Sequence, residues 1–202
     1  MASASPLIDS GPARFMTWFG LVFAVATDAL YLLLKVGQGD TALYVFTVIF
    51  VACYLFALAA LLGASLMRRW SASVRLPLRA AAAGGLLVLG VLAISSIGLP
   101  LLIAGAMATG ATVRTLRGPF ATPSSLSAVA AAGVAVAVLV AGFEVTERLI
   151  VCPAHGSASG VGSGLVTGPY YYECVDGRLT FNSGSCTSTA IDSSGNVTHP
   201  GC

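Results

Sequence analysis

The chain has 202 residues, of which 56% are hydrophobic and only 9% are charged. A soluble domain carries about 25% charged residues, so this composition excludes an ordinary soluble globular protein and indicates a membrane protein. The net charge of +2 is too small to predict nucleic-acid binding.

The first two apolar runs predict two membrane spans. Residues 1–14 are small, polar and interrupted by proline, so we expect a disordered N-terminus. The first span, residues 15–36, would be about 33 Å long as a helix, enough for a hydrocarbon core of about 30 Å. The second span, residues 42–67, is more hydrophobic and ends at a cluster of arginines.

Residues 80–113 decide the number of spans. A single helix of this length would measure about 51 Å, which is too long for a bilayer without extreme tilt. Residues 95–100, Ser-Ser-Ile-Gly-Leu-Pro, have the composition of a turn. We therefore predict a short helical hairpin, 80–94 and 97–113, as spans three and four, and a fifth span over 126–145. A single helix here would instead give four spans.

Arginine placement predicts the orientation. Residues 41–143 contain no acidic residue and six arginines, which lie in two connectors: Arg68, Arg69, Arg75, Arg79, Arg114 and Arg117. Cytoplasmic loops collect Lys and Arg, and the hairpin brings both connectors to that side. The sequence therefore predicts an all-α polytopic protein of the cell membrane, with a cytoplasmic N-terminus, a bundle over 15–151 and an extracytoplasmic tail over 152–202.

The tail has the features of a small disulfide-stapled module. Four of the five cysteines lie in it, and an even number in a short exported segment predicts two disulfides. These are Cys152, Cys174, Cys186 and Cys202. Residues 156–164 are Gly/Ser-rich and predict a flexible tether. Beyond them, Asp176-Gly177 between two β-prone runs predicts a β-hairpin. We expect Cys174 to pair with Cys186 and Cys152 with Cys202.

The ends of the tail also allow a different interpretation. Cys152 and His155, with His199 and Cys202, have a spacing that suits a tetrahedral Zn²⁺ site. An exported tail favours oxidised cysteines, so we predict no metal and no cofactor; a cytoplasmic tail in a four-span protein would favour zinc.

Two carboxylates fall within the predicted spans. Asp28 lies in the first span and Glu144 near the end of the last. A charge inside a bilayer is costly and is by default a functional hypothesis, here a proton or cation site. The alternative is structural, since Glu144 has Arg148 four residues later on the same helix face.

The sequence carries no catalytic motif, so we predict a non-enzymatic protein that presents its module to a membrane or extracellular partner. Tyr170, Tyr171 and Tyr172 are the predicted partner-binding surface, because tyrosine is common at interface hot spots. The alternative is a small channel or ion-coupled transporter that uses Asp28 and Glu144. Small residues repeat every four positions at Gly133, Ala137 and Ala141, which suits close helix packing within the monomer or in a homo-oligomer.

Overall fold

A computed structural model describes residues 11–38, 44–67, 70–94, 96–116, 122–183, 190–191 and 197–198. Five helices come first along the chain: α1 Gly11–Gln38, α2 Val45–Leu66, α3 Ala72–Leu92, α4 Gly98–Leu116 and α5 Thr122–Thr146. Five strands follow: β1 Ser157–Gly164, β2 Gly168–Val175, β3 Arg178–Ser183, β4 Ala190–Ile191 and β5 Val197–Thr198. The chain divides into two compact units, Met1–Gly37 with Val51–Leu139, and Gln38–Phe50 with Val140–Cys202.

Four of the helices, α1, α2, α3 and α5, are long and apolar enough to cross a membrane. The predicted helices are therefore confirmed, although some of their ends differ. Helix α1 already begins at Gly11, so residues 11–14 are helical rather than disordered. Pro12 suits this start, because a proline in the first helical turn lacks an N–H that would have no helical partner anyway.

The predicted hairpin is present as helices α3 and α4. The turn between them is closed by the amide of Gly98, which donates to the carbonyl of Ala93 at 2.8 Å. A Cβ at Gly98 would overlap the backbone carbonyls of Gly90 and Ala93, so the turn requires glycine. Helix α3 begins at Ala72, so Arg75 and Arg79 belong to it and not to a connector as the sequence predicted.

Helix α3 packs closely against its neighbours through glycines. Against α4 the contact is reciprocal, because Gly90 faces Leu102 and Gly105 faces Leu87. Gly84 lies against Ala132 of α5, where an added Cβ would be 3.1 Å from that alanine's Cβ. Small residues allow helix axes to approach closely, so α3 contacts two helices almost backbone to backbone.

Helix α2 completes this packing with a tyrosine. The Tyr54 hydroxyl donates to the carbonyl of Ala135 in α5 at 2.8 Å. Gly85 of α3 leaves the space for this ring, because a Cβ there would lie 2.5 Å from the hydroxyl and 2.8 Å from Leu58. The large side chains fully buried in the same unit include Leu55, Leu62, Leu86, Leu101 and Leu139.

The stripe of small residues predicted to pack on the last helix lies on the exposed face of α5. Gly133, Ala137 and Ala141 are exposed, and nothing in the described chain lies within 4 Å of a Cβ built at Gly133. The packed face of α5 is instead formed by Ala128, Ala132 and Ala135. The prediction that this stripe packs within the monomer is therefore wrong.

Arg79 is the largest fully buried side chain, with 1% of its surface exposed. Its Nε donates to the Ser65 hydroxyl at 3.3 Å, and Nη1 donates to the Thr115 hydroxyl at 3.4 Å. Ser65 and Thr115 lie at the C-terminal ends of α2 and α4. Because the C-terminal end of a helix carries partial negative charge, two such ends stabilise the guanidinium within a segment that lacks carboxylates.

We predict that Arg79→Met lowers the free energy of unfolding by about 1–3 kcal/mol, because it removes charged hydrogen bonds and the cation at two helix ends. Arg114→Met is the matched control, since Arg114 is exposed in the last turn of α4. Both are measured by denaturant titration in detergent micelles. Equal losses in the two variants would contradict the role given to Arg79.

Gly85→Ala tests the close packing of α3, and Gly133→Ala on the exposed face of α5 is its control. We expect Gly85→Ala to destabilise the protein by about 1–3 kcal/mol through overpacking against Tyr54 and Leu58. Gly133→Ala meets open space and should be neutral or stabilising by up to about 1 kcal/mol, because alanine is the better helix former. The same titration distinguishes them, and a neutral Gly85→Ala would refute the close contact.

Candidate functional site

The tail forms a three-stranded antiparallel sheet in the order β1-β2-β3. The predicted hairpin is confirmed, with Val175 paired to Arg178 across a two-residue loop. Asp176 and Gly177 both have positive φ, +44° and +78°. This is the conformation of a type I′ turn, and it explains why Asp-Gly occupies the loop.

Strand β1 corrects the prediction of a flexible tether over residues 156–164. It pairs with β2 over eight residues, from Ser157 opposite Val175 to Gly164 opposite Gly168. Gly162 lies beneath the ring of Tyr170, and Gly160 beneath the ring of Tyr172. A Cβ at either glycine would overlap the ring, so these glycines serve cross-strand packing rather than flexibility.

The disulfide joins Cys152 to Cys174, with a Cα–Cα distance of 5.4 Å. The expected pairings of these two cysteines are therefore wrong; Cys186 and Cys202 lie outside the described residues. The bond connects the segment after α5 to the central strand, where Cys174 is fully buried beside Ile150 and Tyr172.

The alternative zinc site does not form from the residues that the structure describes. Cys152 is oxidised, and the described ranges contain no group of three or more side chains that could hold a metal. His155 is exposed, while His199 and Cys202 fall outside those ranges.

The sheet is fixed to the helix ends of its own unit by tyrosine hydroxyls. Tyr44, just before α2, and Tyr172 form a hydrogen bond between their hydroxyls at 2.7 Å, with their rings in an edge-to-face arrangement. The hydroxyl of Tyr170 donates to the Glu147 carbonyl at 3.1 Å. Burial and the hydrogen bond to Tyr172 raise the pKa of Tyr44, and burial followed by the Glu147 charge raises the pKa of Tyr170. Both shifts favour the protonated phenol, which is the form that can donate a hydrogen bond.

Glu144 accepts hydrogen bonds from the turn between β1 and β2. Its carboxylate accepts from the amide of Val166 at 2.5 Å and from the Thr167 hydroxyl at 2.8 Å. A Cβ at Gly164 would meet the same carboxylate, so the backbone of the turn lies directly against it. The geometry favours the structural interpretation of Glu144, with the turn rather than Arg148 as its main partner.

Two of the three tyrosines predicted to bind a partner are buried. Tyr172 is 3% exposed and Tyr171 is 8% exposed, while Tyr170 is half-buried. Tyr170 and Tyr172 use their rings and hydroxyls to attach the sheet, and the interface expected at the three tyrosines stays a prediction. Sequence reasoning gave no role to Tyr44 or Glu147 in this attachment; an aromatic residue beside an apolar run was the only signal.

Asp28, the other predicted ionisable residue, is half-buried in α1 and belongs to the first unit. Its Oδ1 atom is buried and has no hydrogen-bond partner in the described ranges.

The sheet has two edge strands, β1 and β3, and β1 is the one without a charged residue. Strand β1 pairs with β2 alone, so no described strand covers its other edge. The strand has no charged residue and no proline, and Val161 is 73% exposed on it. Natural edge strands are commonly protected by charge, proline or a bulge, so this edge can add a further strand.

Comparison of the chain with protein-family models, with characterised proteins and with solved structures finds no match.

Glu147→Gln tests how the raised pKa of Glu147, just after α5, changes stability with pH. Burial, and then the charge of Glu144, raises the pKa of Glu147 above its ordinary value of 4.5. The folded state therefore holds this proton more tightly than the unfolded chain, so the contribution of Glu147 to stability falls as pH rises from about 4 through the raised pKa. We expect Glu147→Gln to remove this decline in melting temperature, whereas the exposed Glu173→Gln should keep the wild-type profile. An unchanged profile in Glu147→Gln would contradict the assignment.

Glu144→Gln tests the attachment of the turn. The amide has one acceptor oxygen where the carboxylate offers a separate oxygen to each of Val166 and Thr167, and it lacks the negative charge, so we expect the turn to be held less tightly. Amide hydrogen exchange at residues 164–168 should accelerate several-fold in this variant. Glu173→Gln, on the exposed face of β2, is again the control, and equal exchange in both variants would rule out the attachment.

Proposed function

We propose that the chain is a five-span integral protein of the cell membrane that anchors an exported, disulfide-bonded module. Its role is non-enzymatic, namely assembly with a membrane or extracellular partner. The N-terminus is cytoplasmic and the module extracytoplasmic.

The hydrogen bond between Tyr44 and Tyr172 carries this proposal. Tyr44 precedes α2 and Tyr172 follows α5, so a contact between them requires both to lie on one side of the membrane. An even number of crossings must then separate them. Helices α2, α3 and α5 give three, so the contact supports a crossing by α4 as well. This topology agrees with the arginines, which gather where α2 and α4 end and α3 begins.

The Cys152–Cys174 disulfide supports export, because such bonds persist in oxidising compartments and are rare in the cytosol. Attachment at Tyr44, Glu144 and Glu147 supports a module held in a defined position rather than on a tether. A fixed module with an open, uncharged edge at β1 suits a partner that adds an extended strand.

Thiol labelling in intact cells tests the topology. In a Cys53→Ala background, a membrane-impermeant maleimide is applied before and after mild external reduction. We expect Cys152 and Cys174 to react only after reduction, as read from the mass of the C-terminal fragment. Reaction only after lysis, without reductant, would mean a cytoplasmic tail and would contradict the proposal.

Site-specific photo-crosslinking tests the open edge. A photoreactive residue at Ser159 of β1 should give one discrete adduct in intact cells, and one at Thr180 of β3 should not. Val161→Lys should abolish the adduct, because an edge lysine opposes strand addition. Val175→Lys, on the same face of the central strand, should preserve it. Loss in both lysine variants, or in neither, would contradict an interface at β1.

A channel or ion-coupled transporter remains the second candidate because of Asp28. A half-buried carboxylate with a buried oxygen that lacks a partner in the described chain suits a proton or cation site. Glu144, its predicted companion, is already occupied by the turn. In this case Asp28→Asn would abolish ion flux into proteoliposomes while leaving the fold intact.

A further inference from the structure

An apolar groove runs between α3, α4 and α5. Its volume is about 280 Å³, and it extends along α3 from Ala80 to Leu87, roughly 10 Å of helix. Thr109 and Thr112 of α4 and Val129 of α5 line its other walls. The inference drawn from this groove concerns a membrane lipid. It therefore rests on the proposed function, in which these helices span a bilayer.

The wall of the groove presents hydrocarbon groups to a ligand and no free hydrogen-bonding group. The hydroxyl of Thr109 donates to the Gly105 carbonyl at 2.8 Å, and that of Thr112 donates to the Ala108 carbonyl at 2.8 Å. Both threonines therefore turn their methyl groups to the groove. A polar ligand would find no partner for its own groups and is disfavoured.

The size of the groove indicates a chain rather than a helix. Its volume is roughly twice the ~150 Å³ of a cavity that holds benzene. An α-helix is about 10–12 Å across and would insert only side chains, whereas one acyl chain can enter along the length of the groove.

The groove begins at the basic end of the helices. Thr112 is near the end of α4, and Ser125 is near the start of α5. Arg75 and the exposed Arg114 belong to the same end of α3 and α4, in a stretch from residue 41 to 143 without acidic residues. A phospholipid has the matching direction, with its headgroup at the interface and its chain towards the midplane. We propose that this groove binds an acyl chain of an anionic phospholipid from the inner leaflet.

Lipid retention by groove variants tests the proposal. The full-length protein is purified in detergent and incubated with phosphatidylglycerol or phosphatidylcholine of identical acyl chains, and bound lipid is counted by native mass spectrometry. Val129→Phe puts a ring at the groove from an exposed position. Val134→Phe is the matched control, an exposed valine on the same helix that does not line the groove.

We expect wild type and Val134→Phe to retain one phosphatidylglycerol in preference to phosphatidylcholine. Val129→Phe should retain it about tenfold less, since small changes in a hydrophobic pocket alter affinity by factors of this size. Equal retention by the two phenylalanine variants would overturn the site, and equal retention of both lipids would overturn the preference for an anionic headgroup. Alkaline carbonate extraction of the same cells tests membrane integration separately, so failure of the groove is distinguishable from failure of the proposed function.

Discussion

The helices depend on one constraint, which is that polar groups in apolar segments need partners within the chain; among the described helices Asp28 Oδ1 and Thr47 Oγ1 are buried exceptions. Most polar groups find a partner at the shortest range. The threonine hydroxyls described in α1 and α4, and that of Thr146 in α5, donate to the carbonyl four residues earlier, as Thr17 does to Ala13 and Thr146 to Gly142. Tyr54 uses a carbonyl of the neighbouring helix. An unpaired polar group in hydrocarbon costs several kcal/mol, so this pairing permits the lipid environment that we propose.

Arg79 follows the same constraint at higher cost, because a buried guanidinium must be stabilised without a carboxylate. Two helix ends supply the complementary charge, which requires α2 and α4 to finish at the same level beside the start of α3. The glycines of α3 make this arrangement possible, since they allow its neighbours to approach closely enough. Charge and packing therefore fix the same three helices.

In the second unit, the sheet supplies the hydrogen-bond partners for polar groups at the end of α5. The carboxylate of Glu144 accepts hydrogen bonds from the Val166 amide and the Thr167 hydroxyl in the β1–β2 turn. The Glu147 carbonyl, just after α5, accepts a hydrogen bond from the Tyr170 hydroxyl. The sheet thus satisfies the end of a helix while the disulfide holds the intervening segment. This attachment is why Tyr172 is buried and Tyr170 is half-buried.

The sequence by itself determined the five helices, the hairpin of α3 and α4, and the Asp176-Gly177 turn, because apolar run length and turn chemistry are local properties. It predicted about five spans, and the count of crossings stays a prediction. Only the tertiary structure decided that Cys152 pairs with Cys174, that residues 157–164 form a strand, and that Arg79, Tyr171 and Tyr172 are buried. Each of these depends on which distant segment comes alongside. The composition of a glycine-rich segment does not distinguish a tether from a strand; the packing of Tyr170 and Tyr172 on its glycines does. The position of Arg79 beside an apolar run is equally compatible with a loop, and the two helix ends that surround it come from distant parts of the chain.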